Sequence, residues 1–278
     1  MTDIDIDHLR GWIGREQTAS ELLTDGLLER YRATLDLPAS AQVPRLIHLC
    51  LAPPAVPGRE TGPDGHPARG GFLPPVPLPS RMWAGGEFRF HGDPEPGDRI
   101  TRTSRIDDVV LKQGRTGPLC FVTVNHRIAS DGRLLVEERQ DLVYRPATKG
   151  APPRREGRPQ GRHHRPVEAT TLLLFRYSAL TFNGHRIHYD HPYATGEEGY
   201  PGLVVHGPLQ ATWLYNYATE ILGSRPARFA FRGLGPLHDC DAISLNADEP
   251  AAGTLRLWTA AGDGNVAMQA EAILSQGG

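Results

Sequence analysis

Cysteine is scarce. The 278 residues hold three, Cys50, Cys120 and Cys240, odd in number and without a CxxC pair. A disulfide framework and a thiolate zinc site are therefore not expected, and a reducing cytoplasm is the expected location. An excess of positive charge is also missing. Lys plus Arg number 30 against 32 Asp plus Glu, a formal net charge of -2, whereas a general nucleic-acid binder would be basic. No stretch approaches the roughly 18 apolar residues of a membrane span. The acidic opening MTDIDIDHLRGW lacks the apolar run of a signal peptide. Neither secretion nor a membrane partner is expected.

What the sequence has in abundance is glycine and proline, 31 and 25 residues, which favours turns, loops and strands over long helices. The 39% hydrophobic and 22% charged content fits a globular chain, and the length fits about two domains. Residues 146–168, rich in Pro, Gly and Arg, have almost nothing apolar to bury and read as an exposed linker. The expected units are thus 1–145 and 169–278.

In the first unit, Leu27, Leu28, Tyr31 and Leu35 share a helical face, with Thr24 or Asp25 as cap. Residues 52–79 are too rich in Pro and Gly for regular structure, and a loop this long is usually functional or flexible. Strand patterns follow at 87–91, 99–111, 119–129 and 134–144. In the second unit, residues 172–180 form a strand or a short helix, and 208–221 a helix with Pro208 in its first turn. Strand patterns recur at 227–232, 242–245, 254–259 and 266–274. Each half reads as one main helix beside antiparallel strands, an α+β arrangement.

Histidines cluster in the second half. His185, His188 and His191 follow the tight-turn dipeptide Asn183-Gly184, and His206-Gly207-Pro208 opens the helix. Histidine suits acid–base work near neutral pH. Asn183 can orient a water or a carbonyl but cannot take a proton. At Gly207 a helix N-terminus offers free N–H groups to an enolate oxygen. A base beside an oxyanion site suits proton chemistry next to a thioester carbonyl. Other readings stay open. His185, His188, Asp190 and His191 could bind a metal, but their spacing matches no metal motif and lacks the HExxH glutamate. Ser178, His188 and Asp190 could form a triad, but no GxSxG elbow is present. From spacing alone His185 and His191 read as structural, and His188 is balanced between the two.

The pair FNGHRIHYD and PGLVVHGPL resembles the signature of the MaoC-like hydratase/dehydratase group of the hot-dog superfamily. In that register His188 holds the final His of Asp-x-Asn-Pro-(Ile/Leu)-His. Asn183 stands at the Asp, His185 at the Asn and Arg186 at the Pro. The departures are similar to the branch of mitochondrial-type 3-hydroxyacyl-thioester dehydratases and mesaconyl-C4-CoA hydratases, as are residues 70–79, 81–86, 112–124 and 137–145. The resemblance implies a double hot-dog, two antiparallel sheets each wrapped around a central helix. The C-terminal unit would be catalytic and the N-terminal one non-catalytic and pocket-shaping.

It also implies roles. His188 would be the main acid–base residue, Asn183 would orient the water, and Asp190 would set the His188 tautomer or cap a turn. Gly207 would polarise the thioester carbonyl, with His206, His185 and Arg186 lining the substrate site. The implied activity is reversible hydration of an enoyl-CoA, short and branched or dicarboxylic, with Arg186 or Arg81 as partner for a second carboxylate. No metal or redox cofactor is expected, and CoA enters on the substrate. Alternatives are an (R)-3-hydroxyacyl-thioester dehydratase of fatty acyl chains, a hot-dog thioesterase, and a non-catalytic acyl-CoA-binding protein. A homodimer stays open.

Overall fold

The structure is a computed structural model describing residues 4–40, 42–114, 117–147 and 157–275. Five strands come from the N-terminal half: β1 (Glu16–Leu22), β2 (Ser80–Phe90), β3 (Arg99–Gly114), β4 (Gly117–Ser130) and β5 (Arg133–Arg145). Five come from the C-terminal half: β6 (His163–Val167), β7 (Arg228–Gly233), β8 (Ile243–Ala247), β9 (Thr254–Ala260) and β10 (Val266–Ile273). The two sets are not separate sheets. β2 pairs with β7 from Gly85↔Arg232 to Arg89↔Arg228, giving one antiparallel sheet of ten strands, ordered β1-β3-β4-β5-β2-β7-β10-β9-β8-β6. Each half would otherwise end on a row of unpaired backbone groups at this edge, and pairing satisfies both.

The strands follow the expected alternation. On β4 the side chains of Val122, Val124 and Ile128 are buried, while Asn125 and Arg127 on the other face are exposed. His126 shares the buried face because polar partners meet it inside: Nδ1 lies 2.7 Å from Ser104 Oγ, and the buried Glu138 lies near it. The outermost strands, β1 and β6, were not expected. Their sequences EQTASEL and HHRPV carry no apolar alternation because they are the two edges of the sheet. Pro166 is tolerated there. Residues 163–167 thus form a strand inside the stretch read as linker, and residues 148–156 lie outside the described ones.

Among the described residues four α-helices complete the fold: α1 (Ile6–Arg10), α2 (Asp25–Thr34), α3 (Thr171–Leu180) and α4 (Gly207–Leu222). Thr24 caps α2, its Oγ1 accepting from Leu27 N at 3.1 Å. The segment left between strand and helix is α3, capped by Thr170. α4 packs across β7, β8, β9 and β10 and ends at Gly223, in left-handed geometry at φ 64. Among the described residues the N-terminal half has no helix of that length. Leu27, Leu28 and Tyr31 of α2 share a core with Phe88, Phe90 and Ile100 of that half's sheet. Elsewhere the cover is Leu9 of α1 with Val76 and Leu78 of the Pro-rich loop. That loop is therefore packed: the Arg69 guanidinium donates to the carbonyls of Val76, Leu78 and Pro79.

The seam between halves leaves no room at Gly86, where a Cβ would fall 2.3 Å from the Arg139 carbonyl oxygen and 2.8 Å from Phe231 Cζ. Gly86→Ala should lower stability by about 1–3 kcal/mol, the usual cost of overpacking, seen as a lower melting temperature. Gly58→Ala, with nothing within 4 Å of its Cβ, should leave the melt unchanged. Equal melts would contradict the seam.

Candidate active site

The site forms where three segments meet: the loop after α3, the N-terminus of α4, and a short hairpin from the N-terminal half. After α3 the chain turns at Asn183-Gly184, and residues 186–188 make one tight helical turn. This turn buries His188, whose Nδ1 lies 2.7 Å from the Val204 carbonyl oxygen. A carbonyl only accepts, so Nδ1 carries the hydrogen and Nε2 presents its lone pair. Val204 N donates in turn to the Ile187 carbonyl at 2.9 Å, tying the loop to the segment that enters α4. His188 is 7% exposed, and burial pushes its pKa down to about 4. It is a neutral imidazole at pH 7.

His206, at the cap position of α4, is fully buried and stacks on His188, ring centroids 3.8 Å apart and planes 18° apart. Its Nε2 lies 2.8 Å from Ser178 Oγ. Burial, then the neighbouring His188, hold its pKa well below the ordinary value. Its role in the geometry is to support the His188 ring. This also removes Ser178 from the triad reading: its hydroxyl meets His206. Gly207 opens the first turn of α4, whose N–H groups lack intrahelical partners. A Cβ at Gly207 would lie 2.9 Å from Trp83 Cε3, so glycine here admits the indole of β2.

Of the expected roles, one of the two offered for Asp190 is selected, that of Arg186 is corrected and that of Asn183 is narrowed. Asp190 does not reach His188. Its Oδ2 accepts from Arg186 Nε and Nη2 at 2.9 and 2.8 Å, and its Oδ1 accepts from Tyr193 N at 3.1 Å. The Val204 carbonyl sets the tautomer instead, and Asp190 caps a turn. Arg186 is equally committed. It pairs with Asp190, donates to the Pro63 carbonyl at 3.1 Å and lies 4.1 Å over the Tyr193 ring, so it is not the partner of a substrate carboxylate. Asn183 Oδ1 accepts from His185 N at 3.0 Å; its oxygen shapes the turn, and only the amide NH2 is left for a water. His191 is exposed, so the metal set of His185, His188, Asp190 and His191 is not assembled.

Sequence reasoning missed two residues of the site. The loop of residues 52–79 folds back through a bridge between Thr61 and Pro67, with Asp64-Gly65-His66 at its tip. His66 Nδ1 lies 3.0 Å from Asp64 Oδ2, and the His66 ring lies 4.0 Å from that of His185. His185 in turn meets His188 edge-on at 5.4 Å. Burial, then the neighbouring imidazoles, push His185 down to about 2. Burial lowers His66 as well, although Asp64 pulls the other way. Burial would raise Asp64, but the His66 hydrogen bond and charge hold it well below the usual carboxylate range. The only hint in the sequence was the echo of Asn183-Gly184-His185 in Asp64-Gly65-His66.

Asp64, His66 and His185 bring donor atoms within 4.8 Å of one another and are the residues that could hold a metal. Both Asp64 oxygens are already engaged by His66, and the positive charge of Arg81 bears on both imidazoles. That environment fits acid–base chemistry better than a cation site. Arg81 sits on β2 opposite Tyr144 of β5 and forms no ion pair among the described residues. The Tyr144 hydroxyl is fully buried. A groove of about 700 Å³ runs between α2 and α3, bordered by Arg30, Arg176, Phe175 and Phe182; Phe182 directly precedes Asn183.

Comparison with known proteins agrees with this architecture. A sequence profile of the hydroxyacyl-thioester dehydratase type 2 family matches residues 46–239. The chain is 42% identical over 270 residues to mesaconyl-C(4)-CoA hydratase of Chloroflexus aurantiacus, covering 93% of this chain and 95% of that one. It is 38% identical over 113 residues to the mitochondrial hydroxyacyl-thioester dehydratase type 2 of Schizosaccharomyces pombe, covering 38% and 37%. Among solved structures, a MaoC-like dehydratase from Phytophthora capsici superposes with a TM-score of 0.70 at 13% identity, over 99% of this chain and 100% of that one. A Mycobacterium tuberculosis protein described as having a double hotdog fold gives 0.55 at 15% identity, over 94% and 96%. By sequence and by fold, the chain belongs to the hydroxyacyl-thioester dehydratase type 2 family and has a double hot-dog fold.

Proposed function

We propose that the protein hydrates an enoyl-CoA and dehydrates the matching 3-hydroxyacyl-CoA, with a short branched dicarboxylic acyl group such as that of mesaconyl-C4-CoA. The observation that carries this reading is His188. Its Nδ1–H is tied to Val204 and its Nε2 lone pair is bare, beside the N-terminus of α4. A water whose hydrogen is accepted by Nε2 attacks Cβ. As the O–Cβ bond forms, the water proton passes to Nε2 and the π pair moves onto the thioester oxygen. N–H groups of the first turn of α4 stabilise that oxyanion. The enolate then takes the proton back at Cα and His188 is neutral again. Dehydration runs the same steps in reverse. No cofactor enters beyond the CoA carried on the substrate.

The relative from Chloroflexus aurantiacus, similar over nearly the full chain, supports a substrate with a second carboxylate. Within the site Arg81, which forms no ion pair among the described residues, is the cation proposed to receive it, since Arg186 is paired with Asp190. The groove between α2 and α3 is of a size to take the pantetheine arm, with Arg30 and Arg176 at its border for phosphates.

Loss of enoyl-thioester absorbance tests the reaction. Mesaconyl-C4-CoA should be consumed faster than crotonyl-CoA, and His188→Ala should abolish both. Release of free thiol without hydration would point instead to a thioesterase. Arg81→Gln should lower kcat/KM for mesaconyl-C4-CoA by about tenfold or more, the scale of one charge-assisted hydrogen bond, and leave crotonyl-CoA nearly unaffected. Equal losses on both substrates would remove Arg81 from carboxylate recognition.

The depressed pKa of His188 also sets a pH dependence. Its active form is neutral, so kcat/KM should hold level from pH 8 down through 6 and fall as pH approaches about 4. An acid limb near 6.5 would mean a solvated histidine. Because the unfolded chain binds this proton near 6.5 and the native one only near 4, stability should also be lost on acidification across that window. A pH series of thermal melts reads it.

A further inference from the structure

Two turns of the same pattern meet in this site, one from each half. In Asp64-Gly65-His66 and in Asn183-Gly184-His185, the first side chain accepts the N–H two residues on, at 3.1 and 3.0 Å. The turns press backbone to backbone. A Cβ on Gly65, at φ +86, would fall 1.9 Å from the Gly184 oxygen, and one on Gly184 would fall 2.6 Å from the Gly65 oxygen. Arg186 N donates to the Asp64 carbonyl at 2.9 Å. The twins differ in charge: one carries a carboxylate, the other its neutral amide.

The turns frame a row of four imidazoles, His66, His185, His188 and His206, with successive centroid separations of 4.0, 5.4 and 3.8 Å. His206 meets a hydroxyl, Ser178, and His188 a carbonyl, Val204. His66 alone among these three partners an anion, Asp64. The ionic charges that bear on the row's His66–His185 end are those of Asp64 and of the guanidinium groups of Arg69 and Arg81. Hydration as drawn above leaves the row, for the lifetime of the enolate, with one extra proton in a buried setting. A buried positive charge without a counter-charge is costly.

We propose that Asp64 is the working carboxylate of this active site: a positioning residue, supplied by the N-terminal half, that acts through His66 to balance the proton the imidazole row takes from water. Asn183 holds the equivalent place in the other turn without the charge. The N-terminal half is then part of the catalytic machinery and not only a pocket wall. The step stays balanced. The water O–H bond breaks as O–Cβ forms, the π pair rests on the thioester oxygen, and the proton held on the row returns to Cα when the carbonyl re-forms. Asp64 stays ionised throughout and touches no reacting atom. The proposal rests on the hydration reading.

The test is steady-state hydration of mesaconyl-C4-CoA across pH. Asp64→Asn keeps an oxygen for the His66 N–H, so the turn should survive. It should lower kcat by about 100-fold or more, the range of acid–base contributions, change KM little, and move the acid limb to lower pH. Moving the charge to the twin turn, in Asp64→Asn with Asn183→Asp, should recover at least about tenfold of that loss. Should Asp64→Asn not fold, His66→Gln, which leaves the backbone bonds of the turn in place, should show the same fall in kcat. A variant within about threefold of wild-type kcat would overturn the proposal while leaving hydration intact. A loss with an unshifted pH profile and no recovery in the exchanged pair would also overturn it, marking Asp64 as structural. A wild type that hydrates no enoyl-CoA would instead remove the reading beneath it.

Discussion

The hydrogen bond from His188 Nδ1 to the Val204 carbonyl is the contact on which the chemistry depends. It fixes which nitrogen carries the hydrogen, it fixes the ring in the site, and it does so without a charge. A carboxylate partner would have raised the imidazole pKa; a carbonyl leaves burial to dominate, and the ring is neutral at pH 7. Val204 lies two residues before the cap of α4. The same short segment therefore places the proposed base and the helix N-terminus proposed to receive the oxyanion. Trp83 against Gly207 and His206 against His188 hold the two in register.

The second constraint is that neither half makes the site alone. Pairing of β2 with β7 puts the two halves into one sheet, and the Pro-rich loop then reaches across with Asp64 and His66. The contact it makes is backbone to backbone at Gly65 and Gly184, which is why both turns carry glycine. The guanidinium of Arg69 anchors the loop by three carbonyls. A segment this rich in proline loses less entropy on ordering than its length suggests, and that suits a loop which must present two side chains accurately.

Much of the fold was legible. The alternation of Val122, Val124 and Ile128, the helix from Pro208 and a cap at Thr24 or Asp25 each follow from local rules, and the structure has them, with Thr24 as the cap. β1 and β6 were illegible because an edge strand with polar faces carries no alternation to read. The fusion of the two sheets depends on edges and leaves no residue pattern of its own. In the site, the motifs pointed to His188 and Gly207, which the structure places in the turn after α3 and at the start of α4. The partners of Arg186 and Asn183 left no such signal, and Asp190 was read as either a tautomer setter or a turn cap; each finds one partner within a few residues of chain. Asp64 and His66 lay hidden because proximity across halves leaves no periodic trace; only the repeated Asx-Gly-His pattern pointed to them.

The most direct test of this account is the tautomer and charge of His188 at neutral pH, read from imidazole nitrogen-15 shifts and their couplings to the ring carbon-bound hydrogens in the full-length protein. The account predicts a neutral ring with Nδ1 protonated and Nε2 bare at pH 7, unchanged down to about pH 5. A doubly protonated ring at pH 7, or a hydrogen on Nε2 in place of Nδ1, would contradict it.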